Sequence, residues 1–305
     1  MTAEQLLTLA VAILGGALRV GAPFLFVSLG ECITEKAGRI NLGLEGVLVL
    51  SAMAAFGGAY LSGSPWIGVL AGMVAGALLA TLHGLLCSLP RVNDIATGIA
   101  LMMLGMGLAF FLGKPLIQPQ APQLPPIELG AWAASPAVKA ALQINPLVPL
   151  GMVLAGVLWW ALANTRAGLL VRLAGDSANA ARALGYPVNG IRIAATAAGG
   201  LVAGLGGACL TLFYPGSWNE GISSGQGLIA VALVIFARWS PLRCVGAALL
   251  FGGAGAIGPA LQSIGIGWGY HLFNIVPYLL TLVILVLSCR PGQLAAGSPG
   301  ELSAR

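Results

Sequence analysis

The sequence predicts an all-α fold: a polytopic transmembrane helix bundle of about 8 to 10 spans with one or two broken or re-entrant helices. Three observations carry this expectation. Of the 305 residues, 58% are hydrophobic and only 8% are charged, against about 25% charged in an ordinary soluble domain. The mean hydropathy is +0.94, and apolar runs recur at about 18 to 25 residues, the length an α-helix needs to cross hydrocarbon. The 45 glycines, with many alanines, are the small residues that let membrane helices approach closely, where dispersion contacts drive association.

The elements follow in order. The first apolar run, after Glu4, predicts a helix over 5–28; it has no basic leader or small-residue cleavage site, so it is expected to remain as a span. Further helices are expected over 45–61, 66–89, 93–112, 146–163, 192–214, 243–262 and 271–289. The segment 226–237 is too short to cross comfortably. Two Gly-rich breaks, GRINLGLEG at 38–46 and SSGQG at 223–227, each lead into a small-residue helix. Paired interrupted segments point to solute sites in transporters, because broken helix ends aim free amides and carbonyls into a cavity. Between Gly113 and Asn145, Pro115, Pro119, Pro122, Pro125, Pro126 and Pro136 rule out a long helix. Residues 1–290 are expected to form one transmembrane domain, and residues 291–305 a cytoplasmic tail without fixed structure.

The loop at 165–192 fixes the orientation. It carries Arg166, Arg172, Arg182 and Arg192 against Asp176, and cytoplasmic loops concentrate Lys and Arg. Placing it inside puts the N-terminus outside and the C-terminus in the cytoplasm. Lys36, Arg39, Arg91, Arg238, Arg243, Arg290 and Arg305 then also fall inside, Lys114 and Lys139 fall outside, and Arg19 lies within the first span. These scattered cations set orientation; they form no basic face for nucleic acid. Within the loop, Asp176 is expected to cap a helix of about two turns built on Ala178, Ala180, Ala181 and Ala183, stopped by Gly185 and Pro187. So short a helix needs something packed against it, which suggests a cytoplasmic partner; a plain connector is the other reading.

Catalytic chemistry is missing from the sequence. There is no GxxxxGK[ST] loop for nucleotide phosphates and no HExxH; no catalytic residue and no metal ligand set is expected. His83 and His271 stand among apolar neighbours and read as core or interface residues. The five cysteines, Cys32, Cys87, Cys209, Cys244 and Cys289, sit singly, without CxxC spacing. Glu31, Glu35, Glu45 and Asp94 are expected near inner helix ends, within reach of water, leaving Arg19 as the clear intramembrane ion. That scarcity disfavours an ion-coupled carrier. A cavity for an uncharged polar solute has candidates in Asn41, Phe213, Tyr214, Trp218, Asn219, Gln226, Trp268, Tyr270 and Asn274. The aromatic members read equally well as interfacial belt residues.

Four segments together resemble the inner-membrane permease of a bacterial ABC importer, in the family that groups simple-sugar and nucleoside permeases with branched-chain amino-acid permeases. ITEKAGRINLGLEGVLVLSAMAA at 33–55 is the most specific; RVNDIATGIAL at 91–101, TRAGLLVRLAGDSANAARALG at 165–185 and GQGLIAVALVIFARWSP at 225–241 follow in the family's order. Glu45 in GLEG is similar to the nucleoside and simple-sugar branch, shorter permease of a pair; the amino-acid members usually place a His there. One departure is Met102, where members often carry an Asn. The resemblance implies an import subunit for nucleosides or related small polar solutes such as simple sugars, with branched-chain amino acids as the alternative. It implies a separate ATPase subunit that binds ATP and Mg, a second permease chain, an external solute-binding protein and a bacterial inner-membrane setting. It places ATPase coupling on Gly175, Asp176, Ala178, Ala181, Arg182, Leu184 and Gly185, with Ala178, Ala181 and Leu184 as the docking face. The solute pathway is placed on Asn41, Glu45, Met102, Phe213, Trp218 and Gln226. Ala181→Arg is then expected to uncouple transport while leaving the fold intact.

Overall fold

The computed structural model describes residues 3–130, 132, 138–139, 142–213, 216–263, 275–288 and 297–303. Apart from turns and connecting stretches, the regular structure of the described residues is helical except for one short antiparallel pair, β1 (Ile127–Glu128) with β2 (Gln143–Ile144), in which Ile127 faces Ile144. The helices are α1 (Ala3–Lys36), α2 (Leu44–Ser62), α3 (Pro65–Leu86), α4 (Asp94–Gly113), α5 (Leu147–Asn164), α6 (Arg166–Asp176), α7 (Ala178–Ala183), α8 (Val188–Leu212), α9 (Gln226–Phe236), α10 (Pro241–Ser263), α11 (Val276–Ser288) and α12 (Gly300–Ser303). Among the described residues, 7 helices are long and apolar enough to cross a membrane, and α9 is a shorter apolar helix. The expected spans correspond to these helices, and the expected 271–289 span is described as α11 from Val276 onward.

The bundle is organised around α8, which packs against α1, α2 and α3, while α1 also packs along α10. Glycine makes these crossings possible. A Cβ at Gly200 would collide with the Gly76 carbonyl oxygen of α3, and one at Gly30 of α1 with the Gly199 carbonyl oxygen, so the helices meet backbone to backbone. The outer faces are apolar: Leu70, Val74 and Leu78 on α3, Met103 and Phe111 on α4, and Val153, Val157 and Trp160 on α5 are exposed. Helices apolar on both inner and outer faces are what a hydrocarbon solvent requires.

Three expectations change here. α1 does not stop near residue 28 but continues to Lys36. The four inner carboxylates are not in water either: Glu31, Glu35, Glu45 and Asp94 are 0%, 2%, 5% and 2% exposed. Each has a dedicated partner, which is how polar turns extend the helix inside the bundle. Glu31 accepts from the backbone N–H of Asn41 at 2.8 Å, and Glu35 accepts from the indole N–H of Trp239. The tail also departs from expectation over 297–303. Rather than lacking fixed structure, it docks against α6 and α7, with Gly297 accepting from Lys36 Nζ at 3.2 Å.

Candidate functional site

The first break begins where α1 ends. Gly38 takes φ +81, and the chain turns back into the bundle so that Asn41 reaches Glu31 and accepts from Gly43 N–H at 2.9 Å. Arg39 pairs with Asp94 at 2.6 Å, both side chains buried, joining this break to the start of α4. His83 contacts the Ile40 carbonyl oxygen at 3.2 Å, the hydrogen-bonded core role expected of it. The second break follows α8. Ser224 and Gly225 take φ of +47 and +79, and α9 then starts at Gln226. Its first amides have no intrahelical acceptor and attract negative charge.

Glu45 fills that role. Its Oε1 accepts from Ser223 Oγ at 2.5 Å and Gly225 N at 3.0 Å, and its Oε2 accepts from Gly227 N at 2.7 Å. A Cβ at Gly227 would lie 2.6 Å from Glu45 Cα, so a side chain there would push the two breaks apart. Tyr278 on α11 donates to the Ser224 carbonyl at 2.6 Å. The paired breaks seen in the sequence are thus fastened to each other.

Of the residues expected to line a pathway, Asn41, Glu45, Met102 and Gln226 gather at this junction. Met102 lies against Gly46, its Cα 2.7 Å from where a Cβ would stand. Both oxygens of Glu45 are engaged, so Glu45 holds the junction together, whereas the buried Oε1 of Gln226 has no hydrogen-bond partner among the described residues. Trp218 is 1% exposed, which excludes a belt position for it; it packs against Gly113, and its indole N–H has no partner among the described residues either. Phe213 is partly buried against the core, and Asn219 is exposed, accepting from Gly221 N at 3.2 Å. Tyr214, Trp268, Tyr270, His271, Asn274, Cys289, Arg290 and Arg305 lie outside the described residues. Among the described residues, no group of three His, Cys, Asp or Glu side chains converges to hold a metal ion.

The 165–192 segment forms a second constellation at the end of the bundle that carries Lys36. Thr165 caps α6 by accepting from Gly168 N at 3.0 Å. The cap of α7 is Ser177, which accepts from Ala180 N at 3.2 Å; Asp176 is the exposed last residue of α6 and not the cap. A further acceptor comes from the tail, where Glu301 Oε1 takes the Ala178 amide at 2.9 Å and Oε2 meets Arg192 at 3.1 Å. Arg192, 4% exposed, also donates to the carbonyls of Ala37 and Ala174 at 3.0 and 2.9 Å. Gly175 lies inside α6 and lets it close onto the Lys36 carbonyl.

The expected docking face is reversed. Ala178 and Ala181 are 4% and 0% exposed and pack inward on Val188, Leu173 and Ile191, because these small side chains are what lets α7 lie flat on the bundle. The outward side carries Arg182, Leu184 and Tyr186, with Leu184 66% exposed. Gly185 at φ +84 closes α7: its N–H bonds Arg182 O and that of Tyr186 bonds Ala181 O, a glycine-terminated Schellman motif. Sequence reading missed Ser177, Arg192 and Glu301 as structural parts. Ser177 carried a signal, being as good a cap as its neighbour; Glu301 carried none, since its partners are distant in the chain.

These features accompany a match over residues 13–287 to the family described as branched-chain amino acid transport system / permease component. The chain belongs to this permease family. Individual relatives cover nearly their whole length. A Haloferax volcanii protein provisionally named as glucose ABC transporter permease protein TsgC13 is 32% identical, over 92% of this chain and 92% of the relative. The nucleoside ABC transporter permease protein NupC of Lactococcus lactis is 28% identical over 90% and 91%. The guanosine ABC transporter permease protein NupQ of Bacillus subtilis is 29% identical over 87% and 88%. As a permease component with seven apolar helices of spanning length among its described residues, the chain is a multi-pass membrane protein.

Proposed function

We propose that this permease passes a nucleoside or a related small polar solute such as a simple sugar across a bacterial inner membrane, driven by a separate ATPase. The observation that carries the reading is the junction of two helix breaks inside the bundle, clamped by Glu45 and flanked by the buried Gln226 Oε1, which has no partner among the described residues. Buried polar atoms without partners are uncommon, and a solute bearing hydroxyls and ring nitrogens is suited to complete them. Relatives named for nucleosides, guanosine and glucose favour that solute class over branched-chain amino acids.

The 165–192 segment is the place where an ATPase would act. Its tightly held inner face transmits force, and Arg182, Leu184 and Tyr186 offer an outward edge. In this reading that end faces the cytoplasm, and the N-terminus lies outside. ATP and Mg belong to the ATPase, a second permease chain completes the pathway, and an external binding protein delivers solute. The test is uptake of radiolabelled guanosine and glucose into vesicles holding the permease with its ATPase and second permease. Uptake is expected to require ATP and to fall sharply in Gln226→Ala. ATP-independent uptake by this chain alone would overturn the reading, as would leucine uptake without competition by nucleoside or sugar.

A further inference from the structure

We propose that the basic pocket at the coupling end of the bundle is a binding site for the phosphate group of an anionic phospholipid. The pocket holds about 440 Å³ and lies between the end of α1, the last turns of α5, α6, the α9–α10 turn and the docked tail. Lys36, Arg172, Arg238 and Arg243 line it, with Trp159 and Trp239, and no acidic residue appears among its described lining. Lys36 is tied to Gly297 and Arg172 donates to Ala163 O at 3.3 Å, while the buried Nε of Arg172 has no partner among the described residues. The side chains of Arg238 and Arg243 make no ion pair or hydrogen bond among the described residues, only their backbone N–H groups being bonded, to Ile235 O and Ser240 O at 3.0 Å each.

Four cations with no acidic side chain among the described lining repel one another unless an anion sits among them, and guanidinium groups match phosphate oxygens geometrically. The turn supplying two walls is strained: Arg238 and Trp239 are consecutive non-glycine residues at φ +50 and +52. Such backbone persists where surrounding contacts enforce it. Here the Trp239 indole is anchored by Glu35, which turns Arg238 toward the pocket rim.

The surroundings favour a lipid over a free anion. Trp159, 48% exposed, continues onto the outer apolar face of α5 through Trp160, and Leu242 beside Arg243 is 45% exposed. The pocket therefore opens onto the surface that acyl chains cover, with tryptophan at headgroup level. Basic pockets between membrane helices hold lipid headgroups in this way. The inference needs only that the chain spans a membrane, and it stands apart from the choice of solute.

The experiment is native mass spectrometry of the delipidated full-length permease, titrated with phosphatidylglycerol, with phosphatidylcholine, and with phosphatidylglycerol in excess inorganic phosphate. Phosphatidylglycerol is expected to bind selectively and to resist inorganic phosphate. Each cation near a headgroup contributes roughly 5-fold, so Arg238→Asn with Arg243→Gln should weaken binding roughly 25-fold; Asn tolerates the left-handed backbone at 238. Lys114→Gln, a cation at the opposite end, should leave binding unchanged. Equal retention of both lipids, or unaltered binding by the double variant with an unchanged gel-filtration profile, would overturn the proposal. Displacement by inorganic phosphate, or by the assembled ATPase subunit, would overturn it equally, assigning the pocket to a free anion or to a protein partner.

Discussion

Glu45, in the first turn of α2, accepts the backbone N–H of Gly227 at 2.7 Å from 182 residues away in the chain. This bond and its two companions join the halves of the permease at the point where each interrupts its helices. A carboxylate at a helix N-terminus satisfies orphan amides and complements the helix dipole at once. The same geometry makes the junction testable by single substitutions.

Glu45→Ala removes the acceptor for Ser223, Gly225 and Gly227 together. Hydrogen bonds to a charged group contribute about 1.5 to 3 kcal/mol each, so the thermal transition in detergent should fall and uptake should be lost. Glu45→Gln keeps one carbonyl acceptor but turns an NH2 toward an amide donor, and should fall between. A melting curve for Glu45→Ala that overlays the wild type would remove the clamp.

Gly200→Val drives a side chain into the Gly76 carbonyl and Ala80, whereas Gly107 on α4 has nothing within 4 Å of its missing Cβ. Overpacking costs about 1 to 3 kcal/mol, and more against backbone. Gly200→Val should therefore accumulate poorly and elute aggregated, while Gly107→Ala should match the wild type in fluorescence-detected gel filtration.

The Arg39–Asp94 pair is buried, so removing one partner strands a charge and should cost about 3 to 5 kcal/mol. Asp94→Asn with Arg39→Met should cost less than the sum of the two single changes. A double-mutant cycle on urea unfolding measures the coupling, and strict additivity would argue against the pair.

Ala181→Arg and Leu184→Arg separate packing from docking. Ala181 is 0% exposed, so Arg there should destabilise α7 itself, contrary to what its sequence suggests. Leu184 is 66% exposed, so Leu184→Arg should leave the melting curve unchanged while reducing ATPase stimulation by solute. If Leu184→Arg transports normally, the outward edge of α7 is not the contact.

Glu301→Ala should loosen the coupling segment without unfolding the bundle, because Glu301 caps Ala178 and pairs with the buried Arg192. Hydrogen–deuterium exchange should rise in peptides covering 177–184 and stay constant in α8 beyond Arg192. Uniform exchange across both would show that the tail does not hold α7.

The helices were legible because a membrane span announces itself by length and apolarity, and the Gly-rich breaks at 38–46 and 223–227 punctuate it. The continuation of α1 past Ser28 was not, since Glu31 and Glu35 read as a polar helix end until Asn41 and Trp239 are seen to offset part of their cost of burial. Glu45 stood out as part of a motif, but its bond to Gly227 is a tertiary fact with no local trace. The facing of α7 was misread for a related reason. Alanines on both sides of a six-residue helix carry no amphipathic signal, so only the contact with Val188 and Ile191 tells inside from outside.

The glycine-to-glycine crossings of α8 with α1 and α3 have a mechanical corollary. Carbonyls nested into a facing backbone cannot slide without climbing over one another, so these three rods move as a single strut. A rearrangement that admits cargo would then carry the strut whole, so a disulfide pinning α8 to α3 across this crossing should leave uptake unchanged.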